Sequence, residues 1–184
     1  KTGRRVRESN AYVLTQGHEV ETKVRALYEM DKGEDFGELL VEWEAFPFIR
    51  ASLDGINKDR TKAVEIKMVG KDRFESGELP EHFKIQATQQ MLVTGLDEIT
   101  FLFARQPNKA KGIKVDGYKE IVYKRDDALM KELFEALKKF WKAVQDDKPP
   151  AKTDKDKPEE TNDRIKGILT KWAAADKRAK EAKK

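Results

Sequence analysis

The chain has 184 residues, room for one domain and an appendage, and it is unusually polar, with 39% charged and 38% apolar residues. No apolar run approaches the 18 or so residues of a membrane-spanning helix, and zero cysteines exclude disulfides, iron–sulfur clusters, thiolate nucleophiles and Cys-based zinc sites. The formal charge of +4 is modest, and the composition fits a reducing cytoplasm.

From Ser9 to about Met30, Ala11, Val13, Leu14, Val20, Val24, Leu27 and Tyr28 recur at helical spacing, with Gly17 a candidate break between two helices. Leu39 to Phe46 predicts a strand containing Trp43; Pro47 breaks it, and Phe48 to Leu53 resumes extended chain. Asp54-Gly55 is a turn signal, Asn57 to Thr61 a polar loop, and Ala63 to Val69 the next strand, so this stretch reads as a meander. Gly70 opens a polar loop to Leu79. Pro80 then suits the first turn of a helix that runs to Thr94 and ends at Gly95. Glu98 to Ala104 and Glu120 to Lys124 are predicted strands. Asp127 opens an amphipathic helix whose apolar face is Leu129, Met130, Leu133, Phe134, Leu137, Phe140, Trp141 and Val144.

Composition shifts after residue 145. Asp146 to Thr161 is charged and Pro-containing, and residues 146–162 read as a linker. Residues 163–184 return to helix, with Ile165, Ile168, Leu169 and Trp172 as a short apolar stripe that needs a surface to pack on. The first ten residues carry a net +3 and the last fourteen a net +4, which leaves the body at −3. Basic ends on an acidic body suit a nucleic-acid partner, and equally suit plain solubility. The order helix, strands, helix, strand, strand, helix predicts an α/β (α+β) domain with a mixed sheet. Nucleotide-cradling glycine motifs are absent from the sequence.

Alternation in a strand puts Glu65 and Lys67 on one face, and a hairpin would set Asp54 opposite Glu65. Two close carboxylates repel unless a hard divalent cation lies between them. A neighbouring lysine can then polarise a water aimed at phosphorus. On spacing alone, a solvated strand face explains the same residues.

The flanking sequence adds specificity. Phe48-Ile49-Arg50-Ala51-Ser52-Leu53-Asp54-Gly55, then Val64-Glu65-Ile66-Lys67, then Gln86-Ala87-Thr88-Gln89-Gln90-Met91-Leu92-Val93-Thr94-Gly95, together resemble the phage lambda exonuclease family. These are the viral-recombinase-type nucleases of the restriction-endonuclease-like P-D…(D/E)-x-K superfamily. The stretch Gly17-His18-Glu19-Val20-Glu21-Thr22-Lys23-Val24-Arg25-Ala26-Leu27-Tyr28-Glu29 is similar to that family's G-x-x-x-E-x-x-A-R-x-x-[YF]-E helix, with Val24 in the alanine position. The resemblance covers about residues 17–145.

It implies a nuclease domain over residues 1–145 with a restriction-endonuclease-like core, a central mixed sheet flanked by helices, and an added C-terminal helix. It also implies two Mg²⁺ or Mn²⁺ ions bridged by Asp54. Glu65 would be the second carboxylate, joined by the Ile66 backbone carbonyl, and Glu21 would approach the second ion from the N-terminal helix. Lys67 would orient the attacking water, and Gln86 would support the lysine and the scissile phosphate. The implied activity is 5′-to-3′ resection of double-stranded DNA in a bacterial cytoplasm, leaving 3′ overhangs for a single-strand-annealing recombination partner. The implied assembly is a homotrimeric ring. Leu53 replaces the family's usual proline, Met68-Val69 its frequent Cys-Pro, and Gln90 a frequent tyrosine. Only sixteen residues precede Gly17, so the family's earlier segment, with its 5′-phosphate-gripping arginine, is expected to be missing, and no motif assigns that role to Arg4, Arg5 or Arg7.

Other residues weigh less. His18 and His82 read as surface or packing residues. Glu19 rivals Glu21, but the spacing to Tyr28 favours Glu21. Lys71 and Arg73 could touch DNA phosphates without reading sequence. Trp43, Phe140 and Trp141 are expected in the core rather than as stacking platforms. Two other functions remain open: a structure-specific or restriction-type endonuclease, and a non-catalytic DNA-binding module that kept the fold.

Overall fold

The computed structural model describes residues 11–105, 117–149 and 151. The chain divides into two compact units between Gln145 and Asp146, and the elements below belong to the first. In chain order they are α1 (Ala11–Lys32), β1 (Phe36–Glu42), β2 (Arg50–Asn57), β3 (Ala63–Val69), α2 (Lys71–Ser76), α3 (Glu81–Thr94), β4 (Glu98–Arg105), β5 (Tyr118–Lys124) and α4 (Asp127–Gln145). The five strands form one sheet in sequence order, antiparallel except for the parallel β3–β4 pair. A parallel neighbour needs a crossover, and α2 with α3 supplies it. The sheet is thus mixed and flanked by helices on both faces, an α+β fold, as the sequence predicts.

Alternation sorts β3 and β4 cleanly. Val64, Ile66, Leu102 and Ala104 turn to one face and pack with Val20, Val24 and Tyr28 of α1. Ala63, Val69, Ile99, Phe101 and Phe103 turn to the other face, against Ala87 and Met91 of α3 and Met130 of α4. Phe101, Phe103, Leu102 and Met91 are fully buried, and each contributes roughly 1.5–3 kcal/mol of burial. Helix ends follow the chemistry read from the chain. Pro80 caps the start of α3, and Gly95, at φ 76°, closes it in the left-handed conformation, its N–H reaching the Met91 carbonyl at 2.8 Å. Asp126 caps α4, its Oδ1 accepting from Ala128 N and Leu129 N, each at 3.0 Å.

Several expectations need correction. Gly17 does not break the first helix; α1 runs unbroken through it. The first strand is earlier than predicted, and Trp43 stands in a turn after it, where Trp43 N bonds the Ile49 carbonyl at 3.0 Å. The polar loop after Gly70 contains the short helix α2. Trp43 packs with Phe46 and Phe134, but Phe140 and Trp141 are exposed rather than core: Phe140 is 58% open and Trp141, stacked on Phe48, 37%. Both stand in the last two turns of α4. The helix expected over 163–184, with Trp172, lies outside the described residues, as do Arg4, Arg5, Arg7 and nearly all of the expected linker.

Candidate active site

Asp54-Gly55 is not a turn but a β-bulge inside β2. Gly37 pairs with Ile56 and Leu39 with Leu53, so Asp54 and Gly55 together stand against the single residue Glu38. A bulge breaks the alternation, which is why Leu53 and Ile56 both reach the core on the α3 face. It also leaves Asp54 re-aimed. On the other side of β2 the hairpin expectation holds for two pairs only, Gly55–Val64 and Ile56–Ala63. Beyond them, at the level of Asp54, β2 and β3 part.

Side chains stitch this opening. Asp54 Oδ2 accepts the Ile66 N–H at 2.8 Å. An extended residue points its N–H and C=O to the same side, so the Ile66 carbonyl is directed at the same opening. Glu65 turns to the α3 face and is only 2% exposed. Gln86 Nε2 and Lys67 Nζ each lie 2.6 Å from its Oε1, and Gln90 Nε2 lies 2.5 Å from its Oε2. Lys67 is further held over the Phe83 ring, 5.3 Å from its centroid. Phe83, Gln86 and Gln90 are spaced by three and four residues, so one stripe of α3 covers the Glu65-Ile66-Lys67 segment.

The other wall is α1. Arg25 Nη1 donates to the Asp54 carbonyl at 2.6 Å, and its Nη2 lies 2.7 Å from Glu38 Oε1. The guanidinium therefore grips both sides of the bulge. Glu21 lies one helical turn before Arg25, and its Oε2 is 3.2 Å from His18 Nδ1. Glu19 instead pairs with Lys23 on the exposed side at 2.8 Å, so of the two rivals it is Glu21 whose charge is felt at Asp54.

Asp54 is pushed up to about 7, first by burial and then by the negative charge of Glu65; Glu21 adds to the rise, while the Ile66 N–H and Lys67 oppose it. A half-buried carboxylate that feels the charge of two others is the donor chemistry that a hard divalent cation relieves. Among the described residues, no three His, Asp or Glu side chains surround one point, and Glu65 is already engaged by three donors. The residues that fit such an ion are Asp54, Glu65 and the Ile66 carbonyl, with Glu21 across on α1. His18 is exposed, and His82 packs its ring on Phe83 at 4.5 Å. Lys71 and Arg73 stand on α2, with Lys71 Nζ 3.7 Å from Glu75 Oε1.

A model of the YqaJ-like viral recombinase domain matches residues 1–97, more than half of the chain. The chain belongs to that family. The match to the viral recombinase domain spans Glu21, Asp54, Glu65, Lys67 and Gln86 and ends before β4. Solved structures are similar over a larger share of the chain. The alkaline exonuclease LHK-Exo from Laribacter hongkongensis, in complex with dAMP, is 26% identical over 76% of this chain and 71% of its own, with a TM-score of 0.64. A further structure of that enzyme gives 24% identity over 71% and 67% of the two chains, with a TM-score of 0.60. A phage-related exonuclease from Haemophilus somnus 129PT shares the fold at 17% identity, covering 76% and 74%, with a TM-score of 0.55. No curated protein matches the chain. Two residues of this viral recombinase domain escaped sequence reasoning. Arg25 stood in the helix motif without a role, and Gln90 stood out only as a departure.

Proposed function

We propose that this viral recombinase domain is a metal-dependent deoxyribonuclease that resects double-stranded DNA from a 5′ end and leaves 3′ overhangs for recombination. The observation that carries the reading is the convergence of Asp54 and Glu65-Ile66-Lys67 across the opening between β2 and β3. Glu65 is buried under α3 there, which a solvated strand face would never require. The family and the alkaline exonuclease fold support it, and the relative's complex is with dAMP, a deoxynucleoside monophosphate of the class that stepwise resection would release.

In this reading Asp54, Glu65, the Ile66 carbonyl and Glu21 would hold two Mg²⁺ or Mn²⁺ ions. When bound, these ions neutralise charge on the attacking and leaving oxygens of the phosphodiester. Lys67, a charged ammonium paired with Glu65, would leave that carboxylate to orient and polarise the water nucleophile. Gln86, freed in part from Glu65, steadies the lysine and the scissile phosphate. Lys71 and Arg73, exposed on α2, touch backbone phosphates downstream without reading sequence. Closure of three subunits into a ring would keep the duplex engaged between cuts, and the overhang would pass to a single-strand-annealing protein.

The test is cleavage of linear duplexes with 5′-phosphate or 5′-hydroxyl ends, and of closed circles, with Mg²⁺, Mn²⁺ or EDTA. Release of mononucleotides from linear DNA only, with a divalent ion only, is expected. Cutting of closed circles would replace this reading by an endonuclease, and binding without cleavage would leave a DNA-binding module.

A further inference from the structure

We propose that Gln90 is a positioning residue that fixes the Glu65 carboxylate across the opened strand pair. The inference deepens the nuclease reading and rests on it. Gln90 lies on α3 one turn after Gln86 and is 2% exposed. An amide NH₂ has two protons, and both are spent here: Nε2 donates to the Ser52 carbonyl of β2 at 2.9 Å and to Glu65 Oε2 of β3 at 2.5 Å. These acceptors belong to the two strands that part beside the bulge, where ladder hydrogen bonds between β2 and β3 have ended. Gln90 therefore replaces a missing rung and ties the position of Glu65 to the strand that carries Asp54.

The orientation of the amide is forced, since turning it over would face oxygen to two acceptors. The consequence is visible on its other side. Among the described residues, Gln90 Oε1 is the buried side-chain polar atom left without a hydrogen-bond partner. An unsatisfied buried acceptor destabilises the fold, and an apolar side chain of similar length would avoid it. Retaining the amide is thus explained by what Nε2 does to Glu65 rather than by packing. The division of labour on α3 follows: Gln86 and Lys67 share Oε1, whereas Gln90 alone holds Oε2 and stays in place when the other two turn to water and phosphate.

The test replaces Gln90 by Met in the full chain (Gln90→Met), which keeps length and removes both the donor and the orphaned oxygen. The variant is expected to fold, with kcat lowered about tenfold or more, in line with the loss of a hydrogen bond to a charged group. The Mg²⁺ concentration for half-maximal rate should rise, while KM for DNA is unchanged. A merely structural role would move none of these in that pattern. Gln90→Leu, which removes the donor and the orphaned oxygen with a smaller side chain, serves if the Met variant is poorly folded, and the same loss is expected. A second readout is independent of cleavage: thermal melts of metal-free wild type, Gln90→Met, Glu65→Gln and the double variant. Coupled residues should give Tm shifts that fail to add by about 3 °C or more. Additive shifts overturn the proposal, as does an active Gln90→Met enzyme with wild-type kcat and metal requirement. An inactive wild type would instead overturn the nuclease reading, and the melts would still decide whether Gln90 sets Glu65.

Discussion

At the residue scale, Glu65 is paired with Lys67 while Asp54 stays crowded by negative charge. Lys67 sits 2.6 Å from Glu65 and over the Phe83 ring, so truncating it removes an ion pair but opens little core. Lys67→Ala is expected to fold and to bind metal, because it loses no carboxylate, while cleavage drops by about 10²–10⁴. Near-normal turnover would remove Lys67 from the chemistry. Asp54 makes the opposite kind of statement. Its folded-state value of about 7 lies above the ordinary 3.8, so between those pH values the folded chain holds a proton that the unfolded chain has released. The contribution of Asp54 to the stability of the metal-free protein therefore falls as pH rises from about 4 to about 7 and levels off above. Asp54→Asn keeps an oxygen for the Ile66 N–H and removes the charge. At pH 8 without metal it should melt about 3 °C or more above wild type, with the gap closing towards pH 4. Mg²⁺ should stabilise wild type and not the variant. A variant that melts lower than wild type at pH 8 would show Asp54 to be structural.

At the scale of elements, the bulge in β2 is the device that makes the site. It depends on Gly55 for space: a Cβ there would stand 2.7 Å from Val64 Cγ2 and 3.1 Å from Phe36 Cβ. Val64 is packed between strands and α1 and cannot retreat freely, so Gly55→Ala should cost roughly 1–3 kcal/mol and lower activity by displacing Asp54. A chemical-denaturation midpoint at the wild-type value would show that the bulge yields. This element was also the least legible in the chain. Asp54-Gly55 carries the residue types of a turn, and nothing local distinguishes a turn from a bulge whose pairing is set by a distant register. Ala63–Val69 and Glu81–Thr94 were readable because alternation, Pro80 and Gly95 act locally. Glu65 and Lys67 were readable as a pair by alternation, whereas Gln90 was not, because its partners lie 38 and 25 residues away in sequence. The α4 stripe was read correctly as helix, with its moment intact. The exposure of Phe140 and Val144 was not legible, because periodicity reports which face is apolar and not what covers it.

At the scale of the whole molecule, the proposed resection raises the question of how the enzyme would stay on a duplex through many cuts. A single chain that lets go after each phosphodiester must find the end again by diffusion. A closed cyclic assembly around the duplex loses it only by opening or running off. The sequence carries +3 in its first ten residues, +4 in its last fourteen and −3 between them, a distribution that suits a polyanionic partner. Phe140 and Val144, 58% and 49% exposed on the outer turns of α4, are large apolar groups of the kind that subunit faces use. The expected result in light scattering at micromolar concentration is therefore three times the 21.2 kDa chain mass, retained at moderate salt because apolar faces are little screened. On closed circles, which offer no end to thread, the trimer should bind weakly, whereas on linear duplex one trimer should degrade one molecule before starting another. A mass of one chain, unchanged by duplex DNA, would sink the ring, and distributive degradation of all molecules at once would remove the reason for it.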